Sequence, residues 1–179
     1  MPSVLLPQLQ DGSLDFIVGP RPVTPIPQQI EATSLFKVPS SIVVRCGHPL
    51  ERAKSVRNLT DAEWVLSLSA AHAESALHAV FADSGLPKAN VVVRVESLLA
   101  AYSFVATTQY VGLLPRYSRN ESLILRNISY VDIPGFKVMD SYELFVRRNH
   151  SLSAAASKLV TQIKEQARRL KKDNALRIS

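Results

Sequence analysis

Glu96 and Ser97 are the residues of this chain best placed to do chemistry. They follow Val91-Val-Val-Arg-Val95, a β-branched run that suits a strand buried on both faces. Leu98, Leu99, Tyr102, Val105 and Ala106 come next at helical spacing, with Ser97 as a good N-cap. Such a turn aims backbone N–H groups and a hydroxyl at whatever lies over it, which suits a small anionic or polar ligand. An ordinary capped helix uses the same residues and stays open as the alternative. Val111 to Leu114 reads as a second buried strand, stopped by Pro115. The unit wants a parallel pairing with its functional turns at the strand C-terminal ends.

Other candidate ligand groups also lie where strands end. Gly19, Pro20 and Arg21 follow a first strand, Ser67 and Ser69 follow Trp64, and Pro115 ends the last parallel strand. Arg21 can pair bidentately with a carboxylate or sulfonate, although a surface arginine in a proline-rich loop looks the same in sequence. Catalytic and metal chemistry find less support. His72 and His78 are six apart and fall on different helix faces, poor for a shared metal. His48 precedes Pro49 in a turn, where a structural role is expected. Cys46 has Arg45 and His48 nearby, which can activate a thiol, but an inert thiol fits as well. No G-x-S-x-G, phosphate-binding loop or dinucleotide fingerprint occurs. The reading is a binding module without catalytic residues, metal or cofactor.

The elements that must position these residues alternate between strand and helix, so the class is α/β. Residues 3–11 read as a short helix with Val4, Leu5 and Leu9 on one face, interrupted by Pro7 and closed by Gly12. Leu14 to Gly19 is read as a buried strand, and Pro20 to Pro27 as an irregular loop. Glu31 to Arg45 is extended. Asn58 to Glu63 is a helical turn before the short strand Trp64 to Ser67, and His72 to Asp83 is a helix closed by Gly85. Leu123 to Leu125 and Tyr130 to Ile133 read as extended, and Tyr142 to Val146 alternates like a half-exposed strand. The last helix begins at Ser151 or Ser153. Its stripe is Leu152, Ala156, Leu159, Val160, Ile163, Ala167 and Leu170.

The bulk properties fit one domain or two small lobes. The chain has 179 residues, 46% hydrophobic and 20% charged, as in an ordinary globular protein. A single cysteine permits no internal disulfide, so a reducing, cytoplasmic setting is expected. No apolar run is long enough to span a bilayer, and the start lacks the pattern of a signal peptide. The net charge of +6 is uneven, with Lys164, Arg168, Arg169, Lys171 and Lys172 against Glu165. A solvated helix end that favours cations explains that cluster more simply than phosphate binding.

Taken in order, these pieces resemble the effector-binding domain of LysR-type transcriptional regulators over about residues 5–168. Leu9-Gln-Asp-Gly-Ser-Leu-Asp-Phe-Ile-Val18 looks like the family's L-x-x-G-x-L-D segment. Val43-Val-Arg-Cys-Gly-His-Pro-Leu50 looks like its strand followed by H-P-L. Asn58-Leu59 before Trp64-Val65 resembles the next block, and Val105-Ala106 with Val111-Gly-Leu-Leu-Pro115 resembles V-A-x-G-x-G-I-x-x-L-P. Leu144-Phe-Val-Arg-Arg148 and Ser153-Ala154 are similar to the final strand and helix start. Thr108 and Tyr110 stand where the family pattern has glycines, so a glycine helix stop is missing and Tyr110 is expected to add bulk near the cleft.

The resemblance implies a type II periplasmic-binding-protein-like fold, two Rossmann-like lobes joined by two crossover strands, with the ligand in the cleft between them. Lobe I is expected at 1–40 plus 146–172, lacking its first strand and helix, lobe II at 41–145, and a frayed tail at 173–179. The implied function is sensing of a small organic effector, expected to be anionic, to modulate promoter DNA binding. A transporter's solute-binding protein is the alternative. Ligand positions carry over to Pro20, Arg21, Ser67, Ser69, Glu96, Ser97 and Pro115. DNA is expected to be contacted only through a helix-turn-helix absent from this chain. The full-length protein is expected to be a dimer or tetramer, with no membrane partner.

Overall fold

The computed structural model describes the backbone of residues 2–22, 24–67, 72–116 and 124–177. The chain divides into two units, a terminal unit of residues 1–38 and 141–179 and a central unit of residues 39–140. Two long strands, β2 (Ile30–Arg45) and β7 (Val138–Arg147), each run from one unit into the other. The expected pair of crossings is therefore present. The chain passes into the central unit after Val38 and leaves it after Asp140, earlier than the second expected boundary at 145.

In the terminal unit, α1 (Pro2–Asp11) precedes β1 (Phe16–Pro20), and α4 (Ala154–Arg177) closes the chain. Gly12, at φ +90°, ends α1 in a conformation that only glycine adopts cheaply. β1 pairs antiparallel with β7, from Phe16 opposite Val146 to Pro20 opposite Tyr142. One face of this sheet gathers Ile17, Ile30 and Phe145 with Leu6 and Leu9 of α1. The other gathers Leu35 and Leu144 with Val160 and Ala167 of α4. The unit is thus a sheet covered by a helix on each face. Three expectations change here. Val4 points outward at 66% exposed, and Leu6 takes its place in the core. β1 alternates rather than being buried throughout, leaving Val18 exposed. α4 remains helical to Arg177, past the start of the expected frayed tail.

The central unit contains β3 (Glu63–Ser67), α2 (Ala73–Asp83), β4 (Asn90–Val95), α3 (Leu98–Thr107), β5 (Val111–Pro115) and β6 (Ile128–Val131). β3 lies between β4 and β5 and is parallel to both, while β2 runs antiparallel to β5 and β6. Alternation along the strands sends Trp64, Leu66, Val111 and Leu113 into one core with Leu77 and Phe81 of α2. Val65 and Leu114 enter the opposite core with Ala101, Tyr102 and Val105 of α3. β4 is not buried on both faces as its valines suggested. It ends the strand order, and Val92 is exposed. The segment Ile124–Asn127 is a 3₁₀ turn rather than an extended run. Thr108 replaces the missing glycine stop. Its hydroxyl donates to the Phe104 carbonyl at 2.6 Å and accepts from the Tyr110 amide at 3.2 Å.

Candidate functional site

Parallel strands deliver their C-terminal ends to one edge of a sheet, where loops can hold a ligand. In the central unit the register brings Ser67 opposite Val95 and Leu66 opposite Leu113. Ser67, Glu96, Ser97 and Pro115 therefore come together at the carboxyl edge of β4, β3 and β5. Ser67 is buried as the last residue of β3 rather than lying in an open loop. Glu96 and Ser97 are exposed. Ser69, the remaining position expected in this region, lies outside the described residues.

Ser97 is the N-cap of α3, with extended backbone (φ −88°, ψ 124°). Its hydroxyl accepts from the Ala100 amide at 3.3 Å, and its carbonyl accepts from Ala101 at 3.0 Å. The amides of Leu98 and Leu99 have no acceptor inside the helix and remain as donors at its positive end. Pro115 is fixed from two sides. Its carbonyl accepts from the Tyr102 hydroxyl, and it stands opposite Ser40 across β2 and β5. The Ser40 hydroxyl donates to Asp140 Oδ2 at 2.6 Å, and both residues are buried. Tyr110 precedes Val111, at the opposite end of β5 from Pro115, about 16 Å away along the strand. It packs against the α3 core and adds no bulk at the strand ends, so that expectation is corrected.

Arg94 anchors the edge. Its Nη2 and Nε donate to Glu74 Oε1 and Oε2 at 2.6 and 2.9 Å, a bidentate clamp from β4 to the first turn of α2. Hydrogen bonding from Arg94 is the main reason the Glu74 carboxyl lies below its ordinary range.

In the terminal unit Pro20 ends β1, and the Arg21 amide donates to the Ser141 carbonyl at 2.9 Å. Arg21 Nη1 donates to both carboxylate oxygens of Glu143, at 2.9 and 3.2 Å. The expected arginine is thus partly committed to a buried carboxylate of its own unit, which weakens its pull on a ligand anion. Glu143, Ser40 and Asp140 are not among the expected site residues, and Tyr102 is expected only as a member of the helix stripe. A signal for Asp140 existed: it is a lone acid two residues from Val138, on the same face of a strand, where alternation calls for an apolar residue.

His48 is structural. Its Nδ1 accepts from the Leu50 amide at 3.0 Å, so the Nε2 that lies 2.9 Å from the Gln109 carbonyl is the donor. Cys46 is exposed, with its sulfur 3.6 Å from the Ser129 hydroxyl, which itself donates to Glu51 at 2.6 Å. Among the described residues no group of three or more His, Cys, Asp or Glu could hold a metal ion.

A model of the LysR substrate binding domain family matches residues 1–168. Solved structures with similar folds share little sequence. The effector binding domain of QuiR in complex with shikimate is 17% identical at a TM-score of 0.74, over 93% of this chain and 78% of that one. The Synechocystis CcmR regulatory domain in complex with 2-PG is 14% identical at 0.73, over 92% and 78%. HinK, a LysR family transcriptional regulator from Pseudomonas aeruginosa, is 19% identical at 0.73, over 92% and 58%. Against another Pseudomonas aeruginosa chain, at a TM-score of 0.75, this chain spans 57% of the length. The fold is the type II periplasmic-binding-protein-like α/β fold. With its ordered strand ends, its two crossing strands and a family match over nearly its whole length, the chain belongs to the LysR substrate binding domain family.

Proposed function

We propose that this chain is the effector-sensing part of a LysR-type transcriptional regulator and is not an enzyme. A small polar organic molecule binds at the carboxyl edge of the central sheet, with Ser67, Ser69, Glu96, Ser97 and Pro115 as its contacts. In the terminal unit the corresponding strand end is that of β1, at Pro20 and Arg21. The observation that carries the reading is the meeting of three strand ends beside the capped, donor-bearing start of α3.

Shikimate and 2-PG, bound by two proteins of like fold, are a hydroxylated and a phosphorylated acid. Free amides at a helix start and a serine hydroxyl recognise groups of that kind. Ligand binding shifts a population and transmits no more than its differential affinity, typically ~1–3 kcal/mol. Promoter DNA is reached through a separate domain of a homo-oligomeric regulator in the cytoplasm. Among the described residues no helix is long and apolar enough to cross a membrane.

Calorimetry with a panel of aromatic and aliphatic acids tests the proposal. Saturable binding that Ser97→Ala weakens is the expected result. Absence of binding across the panel, together with promoter occupancy that no panel acid alters, would sink it.

A further inference from the structure

The crossing strand β7 carries two buried acids, and they are treated differently. Glu143, 4% exposed, is neutralised by Arg21. Asp140, 3% exposed, has no cation within ion-pair distance among the described residues. Its side chain is held by one neutral donor, the Ser40 hydroxyl on Oδ2. Its Oδ1 is not among the side-chain atoms that are buried without a partner, so it is left open to a donor from outside the chain. An ionised carboxylate accepts about four hydrogen bonds, and Ser40 fills one.

The position of this spare capacity gives it a use. Ser40 stands directly opposite Pro115 in the antiparallel pairing of β2 and β5, so the two side chains share a face about 5 Å apart. The Asp140 carboxylate therefore stands within a small molecule's length of the β5 end. The free amides of Leu98 and Leu99 lie at the end of the neighbouring β4, across β3 from β5. Those amides are three strands, ~14 Å, from Ser40, so the acceptor nearest the β5 end is Asp140.

We infer that Asp140 is a specificity-determining residue of the effector site, accepting a hydrogen bond from a hydroxyl or ammonium group of the ligand. The inference rests on the proposed effector site and narrows its chemistry. The ligand is an acid that also bears a donor, such as a hydroxy acid or an amino acid, rather than a simple carboxylate. The donor goes to Asp140. Ser40 orients the carboxylate by occupying Oδ2, leaving Oδ1 for the ligand.

The test uses matched acids that differ at one carbon: malate, aspartate and oxaloacetate, then lactate, alanine and pyruvate, with shikimate against benzoate. Binding to the protein is measured by calorimetry. The wild type should bind the donor-bearing members of its preferred set about tenfold or more tighter than the keto or dehydroxylated member. This comparison needs no variant. Asp140→Asn keeps an oxygen for Ser40 and turns an amide N–H₂ towards the ligand, so the preference should vanish or invert. Ser40→Ala leaves the carboxylate and should keep the preference. If the wild type binds donor-bearing and donor-free members alike, or if Asp140→Asn melts earlier but retains the wild-type preference, Asp140 is only a tie between strands and the inference is overturned. A wild type that binds no member of any set, together with promoter occupancy that none of them alters, would overturn the effector site as well.

Discussion

In the central unit β5 is buried along its whole length and β3 along all but its first residue, whereas β1 in the terminal unit alternates and leaves Val18 41% exposed. Both units place a helix on each face of their sheet, so the difference is not one of layers. It lies in what flanks the strands. β3 and β5 have a partner strand on each side, while β1 ends the strand order and pairs only with β7. A strand held on four sides fixes the direction of the residues that follow it. Ser67 and Pro115 end such strands in the central unit, whereas Ser97 follows the edge strand β4 and Arg21 follows the edge strand β1.

That contrast can be broken most forcefully at Trp64. It is fully buried, edge-on to Phe81 at 6.1 Å between ring centroids. Trp64→Ala should cost ~3–5 kcal/mol by urea denaturation. A loss below about 1 kcal/mol, the size of an ordinary surface effect, would mean that the central sheet is not the rigid part. Gly112→Ala comes next. A β-carbon there would sit 2.9 Å from Val105 Cγ2 and 3.0 Å from Leu114 Cδ1, in the tight seam between α3 and β5. The expected cost is ~1–3 kcal/mol, read in the same way. Ser97→Ala should lower stability by only ~1 kcal/mol while weakening effector binding more than that. The melting temperature and the binding isotherm of one variant separate the two effects.

Smaller still is the response to acid. Arg94 holds the Glu74 carboxyl below its ordinary value of 4.5, so the folded state binds that proton less readily than the unfolded one. The clamp's stabilisation is therefore present above pH 4.5 and is lost as pH falls through the lowered folded value. Arg94→Gln should flatten the acid limb of a melting-temperature profile, slightly because the pair is exposed. The least effect is expected on β1, where Val18→Lys should change stability by no more than ~0.5 kcal/mol. A collapse there would show that the β1 edge is as constrained as β3.

Much of this layout is legible from residue pattern. Alternation and β-branching located β2, β3 and β5, Ser97 and Ser153 were readable as helix caps, and Gly12 and Gly85 as stops. What local pattern cannot show is which strand lies at an edge. Val91 to Val95 has the composition of a central strand, yet strand order puts it last. The same limit hid the polar contacts. Arg21 and Glu143 are 122 residues apart, and Ser40 and Asp140 are 100 apart. The pairing of β1 with β7 joins the first two, and the adjacency of β2 and β7 joins the second two. Thr108 is the reverse case, since its hydroxyl performs locally the stop that a glycine pattern led one to miss.

Amide chemical-shift mapping tests the account most directly. The ¹⁵N-labelled protein is titrated with the tightest binder of the matched acids. Perturbations are predicted at Ser67, Ser97, Leu98, Leu99 and Arg116, at the carboxyl edge of the central sheet. Shifts confined to the Cys46 and Ser129 surface, or to the outer edge of β1, would contradict it.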